Sequence, residues 1–194
     1  MRPEAFAVWI TGLPASGKST IARSLRDRLA SLGIDAAILE SDELRKTLAP
    51  QLGYADSDRG GFYAQMAFIG RMMTKHGIPV IFDATANRRA WRDEARRTIG
   101  NFIEVYVDAP LELCMSRDPK GIYRRALNGD ASHVPGLQSA YEPPEQPEVV
   151  VDWAEPASAA ANRIVSALIE RDYLTPLPAT SAATPEEDSR PRHQ

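Results

Sequence analysis

The chain is short of several features that would place it outside the ordinary globular enzymes. A single cysteine, Cys114, stands among 194 residues, which excludes an internal disulfide and a cysteine-built zinc cluster. No apolar run approaches the ~20 residues needed to cross a bilayer. Residues 1–4 lead straight into a short apolar stretch, without the longer apolar region and small-residue cleavage site of a secretory signal. A cytoplasmic protein with no membrane partner is the expectation. Positive charge is not in excess, since the net charge is −3, so no nucleic-acid partner is expected. Lysine is scarce as well. Lys18, Lys46, Lys75 and Lys120 are the only lysines among 23 basic residues. The arginines that make up the rest fit a coding bias, but individual guanidinium forks also grip phosphate-like anions.

What is present fits one compact domain, with 43% hydrophobic and 25% charged residues. Apolar runs at residues 5–11, 36–39, 79–82, 102–107 and 148–151 read as strands. Helical stretches fall between and after them, at about 17–32, 43–48, 59–75, 88–99, 111–115 and 157–171. This alternation predicts an α/β fold of the P-loop NTPase kind, with a five-stranded, mainly parallel sheet and helices on both faces. Residues 1–173 form the expected domain. The long polar segment at about 117–147 reads as a lid, and the Pro-, Ala- and Ser-rich residues 174–194 as a flexible tail.

The strongest local signal is a phosphate-binding loop. Gly12, Gly17, Lys18 and Ser19 satisfy the spacing GxxxxGK[ST], with a strand before and a helix opening inside it. Glycines let backbone N–H groups turn inward on a phosphate, and the helix N-terminus adds its dipole. Gly12, Leu13, Pro14, Ala15, Ser16, Gly17, Lys18, Ser19 and Thr20 are therefore the expected ATP-binding residues. Lys18 would reach the β- and γ-phosphates, and the Ser19 hydroxyl would hold Mg²⁺.

The loop alone does not separate kinases from other nucleotidases, but no guanine-specifying Asn-Lys-x-Asp motif occurs. A kinase needs a group to orient and deprotonate the acceptor hydroxyl. Asp42 follows the second strand, where ligands of open α/β sheets bind; it is the candidate catalytic base, a helix N-cap being the alternative. Asp83 ends the third strand and could hold Mg²⁺ through water. Its alternatives are an N-cap or a partner for an arginine of the next helix. Arg88, Arg92 and Arg96 share a helix face by their spacing, and a solvated face is the plain reading for Arg96.

Residues 9–20 (WITGLPASGKST), 41–45 (SDELR), 52–54 (LGY), 58–59 (DR), 102–110 (FIEVYVDAP), 117–123 (RDPKGIY) and 141–145 (YEPPE) together resemble the adenylylsulfate (APS) kinase family. That resemblance implies transfer of the γ-phosphoryl of ATP to the 3′-hydroxyl of APS, a small-molecule acceptor, and suggests a homodimer. It assigns Asp42 to the acceptor hydroxyl, and Arg45 and Arg59 to the phosphosulfate end. Tyr54 takes the place of a Phe that stacks on the acceptor adenine. Arg117 in the lid is expected near ATP, and Lys120 near the substrate or phosphates.

Several positions depart from the family pattern. Residues 60–65 (GGFYAQ) replace an Asn and a pair of arginines, and Gly60 and Gly61 should loosen the start of a helix. Residues 84–87 (ATAN) stand where the family has Phe-Ile-Ser-Pro, so the family's serine falls on Ala86. The lid's second stacking Phe falls on Val134. A related nucleotide or phosphorylated metabolite is therefore an alternative acceptor. A nucleotide-binding regulatory module without kinase activity is the alternative of another class.

Overall fold

A computed structural model describes residues 5–175; most of the segment read as a tail, 176–194, lies outside the described residues. Strands β1 (Ala7–Thr11), β2 (Ala37–Glu40), β3 (Val80–Asp83), β4 (Phe102–Asp108) and β5 (Val149–Asp152) form one sheet in the order β2-β3-β1-β4-β5. Every neighbouring pair is parallel, so the sheet is parallel throughout rather than mainly so.

Alternation along β1 divides the interior. Phe6, Val8 and Ile10 enter a core shared with α1 (Lys18–Ala30) and α7 (Ala157–Glu170). Ala7 and Trp9 point to the opposite face, into a core built with α3 (Asp56–Lys75) and α4 (Arg89–Thr98). With both faces covered, the strand reads as an unbroken apolar run. Trp9 stacks on Phe82 at 4.6 Å. Phe82 in turn abuts Gly70, where a Cβ would fall 2.1 Å from the ring's Cζ; only glycine lets α3 approach β3 this closely. No described helix is long and apolar enough to cross a membrane.

Two expectations need correction. Gly60 and Gly61 do not loosen a helix start, because α3 runs through them from Asp56. The missing Cβ of Gly60 makes room for the Trp91 indole, whose Nε1 would lie 3.1 Å from it. The polar segment at about 117–147 carries structure of its own. After α5 (Leu111–Arg117) it carries α6 (Ile122–Leu127), and Tyr123, Ala126 and Val134 join Ala109 and Cys114 in a small third core. Val134 is thus a packing residue of the lid.

Arg88, Arg92 and Arg96 are not a solvated face. Arg92, with no exposed surface, donates from Nε to Glu104 at 2.6 Å and also reaches the carbonyls of Ala86 and Glu142. Arg96 forks onto Glu148 at 2.7 and 2.8 Å. Arg88 pairs with Asp56 and Glu142, and Arg89 with Glu145. Through Arg88, Arg89, Arg92 and Arg96, residues 142–148 are fastened along α4.

Candidate active site

The site lies at the carboxyl ends of β1, β2 and β3, as an open parallel sheet dictates. The loop leaving β1 needs unusual backbone. Gly12 has φ 152°, and a Cβ there would lie 2.7 Å from the Val107 carbonyl oxygen. Gly17, at φ 106°, is the N-cap of α1, and no side chain caps the helix nor does an acidic residue sit in its first turn. Its first N–H groups and positive dipole end are left for an anion.

Lys18 is buried and donates from Nζ to the carbonyls of Gly12 at 3.1 Å and Leu13 at 2.7 Å. Burial lowers its pKa, opposed by the charges of Asp83 and Asp42. Asp83, in register with Glu40 of β2 and Ile10 of β1, is also buried. Burial raises its pKa, while Lys18 and a hydrogen bond with the Ser19 hydroxyl pull the other way. The side chain therefore belongs to the phosphate loop. It neither caps α4, whose N-cap is Arg88, nor serves an α4 arginine, since their carboxylate partners lie elsewhere.

Asp42 is the second residue of α2 (Ser41–Leu48), whose N-cap is Glu40, so the N-cap alternative is set aside. Its carboxylate opens onto a cavity of ≈ 530 Å³ also lined by Lys18, Ser19, Asp83, Arg117 and Lys120. Pro14, Ala15, Gly17 and Thr20 add to the same wall. Lys120 reaches across from the lid to Asp42 at 2.6 Å and Glu40 at 3.4 Å. The hydrogen bond to Asp42 is the main cause that raises the Lys120 pKa. The guanidinium of Arg117 lies 5.9 Å from the Trp153 ring. Leu13 turns away to pack near Gly136, and Ser16 Oγ is buried without a hydrogen-bond partner.

The remaining three expected residues form a second group. Arg45 donates to the Gly53 carbonyl at 2.9 Å and stacks over Tyr54 at 4.9 Å and Phe62 at 4.6 Å. Arg59 lies 5.4 Å from the same Tyr54 ring, which is itself 56% exposed. Arg59 is buried, its Nη1 donating to Asn87 Oδ1 and its Nη2 to the His133 carbonyl, each at 2.7 Å. Its Nε has no partner, and burial lowers its pKa. Residues 84–87 run between the two groups. Thr11 Oγ1 donates to the Thr85 carbonyl at 2.6 Å, and Ala86, at φ 36°, donates its N–H to Tyr63 Oη.

Arg23, Glu40 and Thr85 also line the cavity, and the motifs did not single them out as site residues. Arg23 lies one helical turn past Ser19 and Glu40 two residues before Asp42, so proximity to the motifs was the available signal.

Comparison with known proteins gives one consistent answer. The family model for adenylylsulphate kinase matches residues 4–152. An adenylyl-sulfate kinase of Synechococcus sp. (strain JA-3-3Ab) is 42% identical over 168 residues, 86% of this chain and 96% of the relative. A probable adenylyl-sulfate kinase of Archaeoglobus fulgidus is 41% identical over 148 residues, 76% of this chain and 96% of its own. Among solved structures, the APS kinase of Mycobacterium tuberculosis in complex with AMPPNP and APS superposes with a TM-score of 0.83. That pair shares 31% identity, covering 86% of this chain and 99% of the other.

Proposed function

The chain belongs to the adenylylsulphate kinase family, and from that premise we propose that it moves the γ-phosphoryl group of ATP onto the 3′-hydroxyl of APS, with Asp42 as the base. One observation carries the assignment of residues: Lys18, Ser19, Asp83 and Asp42 surround one cavity beside an uncapped helix N-terminus. The phosphate loop takes the ATP phosphates, with Arg117 on the same wall. Lys18 then exchanges its carbonyl partners for phosphate oxygens. The acceptor end is held by Arg45, Arg59 and the Tyr54 ring, which can stack on a base.

Transfer is in line. The acceptor oxygen bonds to the γ-phosphorus as the bond to the ADP oxygen breaks, and the hydroxyl proton passes to Asp42. Asp42 can accept a proton only when Lys120 no longer holds it, so Lys120 turns toward the negative charge of the bound substrates. A hard-oxygen set of Ser19 Oγ and Asp83 beside the phosphate loop fits Mg²⁺ held largely by phosphates and water. The ion would supply charge neutralisation at the transferring phosphoryl group. The homodimer suggested by the family is part of the same proposal and is read by light scattering.

The test is a coupled ADP-release assay with Mg²⁺, ATP and a panel of nucleotides and phosphorylated metabolites. Saturable turnover that depends on APS is expected. Turnover on another acceptor and none on APS would overturn the substrate assignment.

A further inference from the structure

Arg59, like Lys18, is a buried cation whose hydrogen-bond partners are all neutral. Arg92 by contrast has the carboxylate of Glu104 at 2.6 Å, whereas carboxylates act on the other two only through space, Asp83 and Asp42 on Lys18 and Asp56 on Arg59. Arg59 is 6% exposed, and all its hydrogen-bond partners are neutral: the amide oxygen of Asn87 and the carbonyl of His133. A buried charge is costly unless it is paired. The guanidinium also keeps one buried donor, Nε, without any partner. A cation held in this way is fixed in direction yet not neutralised, which is the state suited to an incoming anion.

Asn87 is what fixes it. It is fully buried in the turn after β3, and it makes three ties to distant parts of the chain. Its Oδ1 accepts from Arg59 on α3, its Nδ2 donates to the Ala140 carbonyl at 3.0 Å, and its own carbonyl accepts the Glu142 N–H at 2.9 Å. Ala140 and Glu142 end the lid segment, and His133, the other Arg59 partner, lies within it. Arg59 is thus braced against the lid at two points, one direct and one through Asn87. A carboxylate at position 87 would keep the bond to Arg59 but cancel its charge, and would lose the donor to the Ala140 carbonyl.

We propose that Asn87 is the positioning residue for acceptor selection, an uncharged brace that aims Arg59 at the anionic end of the acceptor and couples that aim to the lid. This rests on the reading of Arg59 as an acceptor ligand. Asn87 touches no substrate itself and acts through Arg59.

The test compares wild type with Asn87→Asp, Asn87→Ala, Arg59→Gln and the double variant Asn87→Ala/Arg59→Gln. Steady-state kinetics vary ATP and APS separately, and each variant's melting temperature is recorded. Asn87→Asp should raise the KM for APS at least about tenfold while leaving the KM for ATP within about twofold, whatever the melting temperature loses with the Ala140 bond. Asn87→Ala should raise the KM for APS by a smaller factor and add nothing in the Arg59→Gln background. Equal changes in both KM values, unchanged KM for APS in Asn87→Asp, or additive effects in the double variant would each overturn the proposal. A second arm does not need turnover. With ADP saturating the phosphate loop, inorganic pyrophosphate is titrated by thermal shift, and Asn87→Asp should weaken its binding at least about tenfold. No difference, or no pyrophosphate binding by wild type, overturns the role of Asn87. Absence of APS turnover in wild type, with the pyrophosphate difference intact, instead overturns APS as the acceptor.

Discussion

Asp42 and Lys120 meet at 2.6 Å across the mouth of the cavity, and both are half-exposed, so the pair contributes little to stability. Its consequence is chemical. Lys120 occupies the carboxylate that the acceptor hydroxyl has to reach, so the pair must open before transfer. Removing the carboxylate should therefore remove catalysis while sparing ATP binding, which rests on the backbone of residues 12–20. Asp42→Asn is expected to lower kcat by about 10²–10⁴-fold, the usual range for a lost general base, with the KM for ATP within about twofold. Steady-state kinetics check this, and a near-normal kcat would remove Asp42 from its role. Ser16 and Arg59, each with a buried polar atom lacking a partner, mark the residue-scale costs kept around the site.

At the scale of elements, α4 is bound to the sheet by charge and α3 by close approach. Glu104 lies on β4 with 6% of its side chain exposed, and it faces both Arg92 and Arg96. Breaking a buried ion pair from one side leaves the other charge uncompensated, so Glu104→Ala should cost about 3–5 kcal/mol. Urea unfolding measures it, and a loss below about 1 kcal/mol, the range of exposed pairs, would contradict the buried clamp. On the α3 side, Gly70→Ala drives a methyl into Phe82 and should cost about 1–3 kcal/mol as overpacking does. Gly70→Ala combined with Phe82→Leu should recover part of that loss in the same assay. The sequence made some of this legible and hid the rest for a physical reason. Strands and phosphate loop are local signals, an apolar run or a glycine spacing, and they stand where they were expected. The carboxylate partners of Arg88, Arg92 and Arg96 lie 8 to 54 residues away, so helix periodicity showed a charged face but not its burial. Gly60 and Gly61 read as a weak helix start because the compensating Trp91 comes from another helix. Val134 read as a missing aromatic because nothing local announces the small core of the lid. Asp42, Lys18 and Ser19 were expected together and line one cavity. Arg45, Tyr54 and Arg59 also gather, but Asn87, which braces Arg59, showed only as part of a departure from the family pattern.

For the molecule as a whole, the two kinds of carboxylate respond to acid in opposite directions. Glu142 holds residues 140–148 to α4, and the Arg89 N–H and Arg88 guanidinium hold its pKa below the ordinary 4.5. A carboxyl with a depressed folded pKa lends stability that is fully present above its unfolded value and fades as pH falls through the folded one. Asp83 is displaced the other way, since burial lifts its pKa above the ordinary 3.8. Protonating Asp83 does not weaken the fold, because the folded state holds that proton more tightly than the unfolded chain does. It does remove a negative charge from beside Lys18 and Ser19 in the wall of the cavity. Activity and stability should therefore part company on acidification. kcat/KM for ATP is expected to begin its acid decline while the melting temperature and near-ultraviolet circular dichroism are still native. Unfolding should follow only below 4.5. Glu142→Gln should flatten part of the acid decline in melting temperature and leave the activity limb in place. Coincident loss of activity and structure would show that the lid fastening, rather than the charge at Asp83, sets the acid limit of the enzyme.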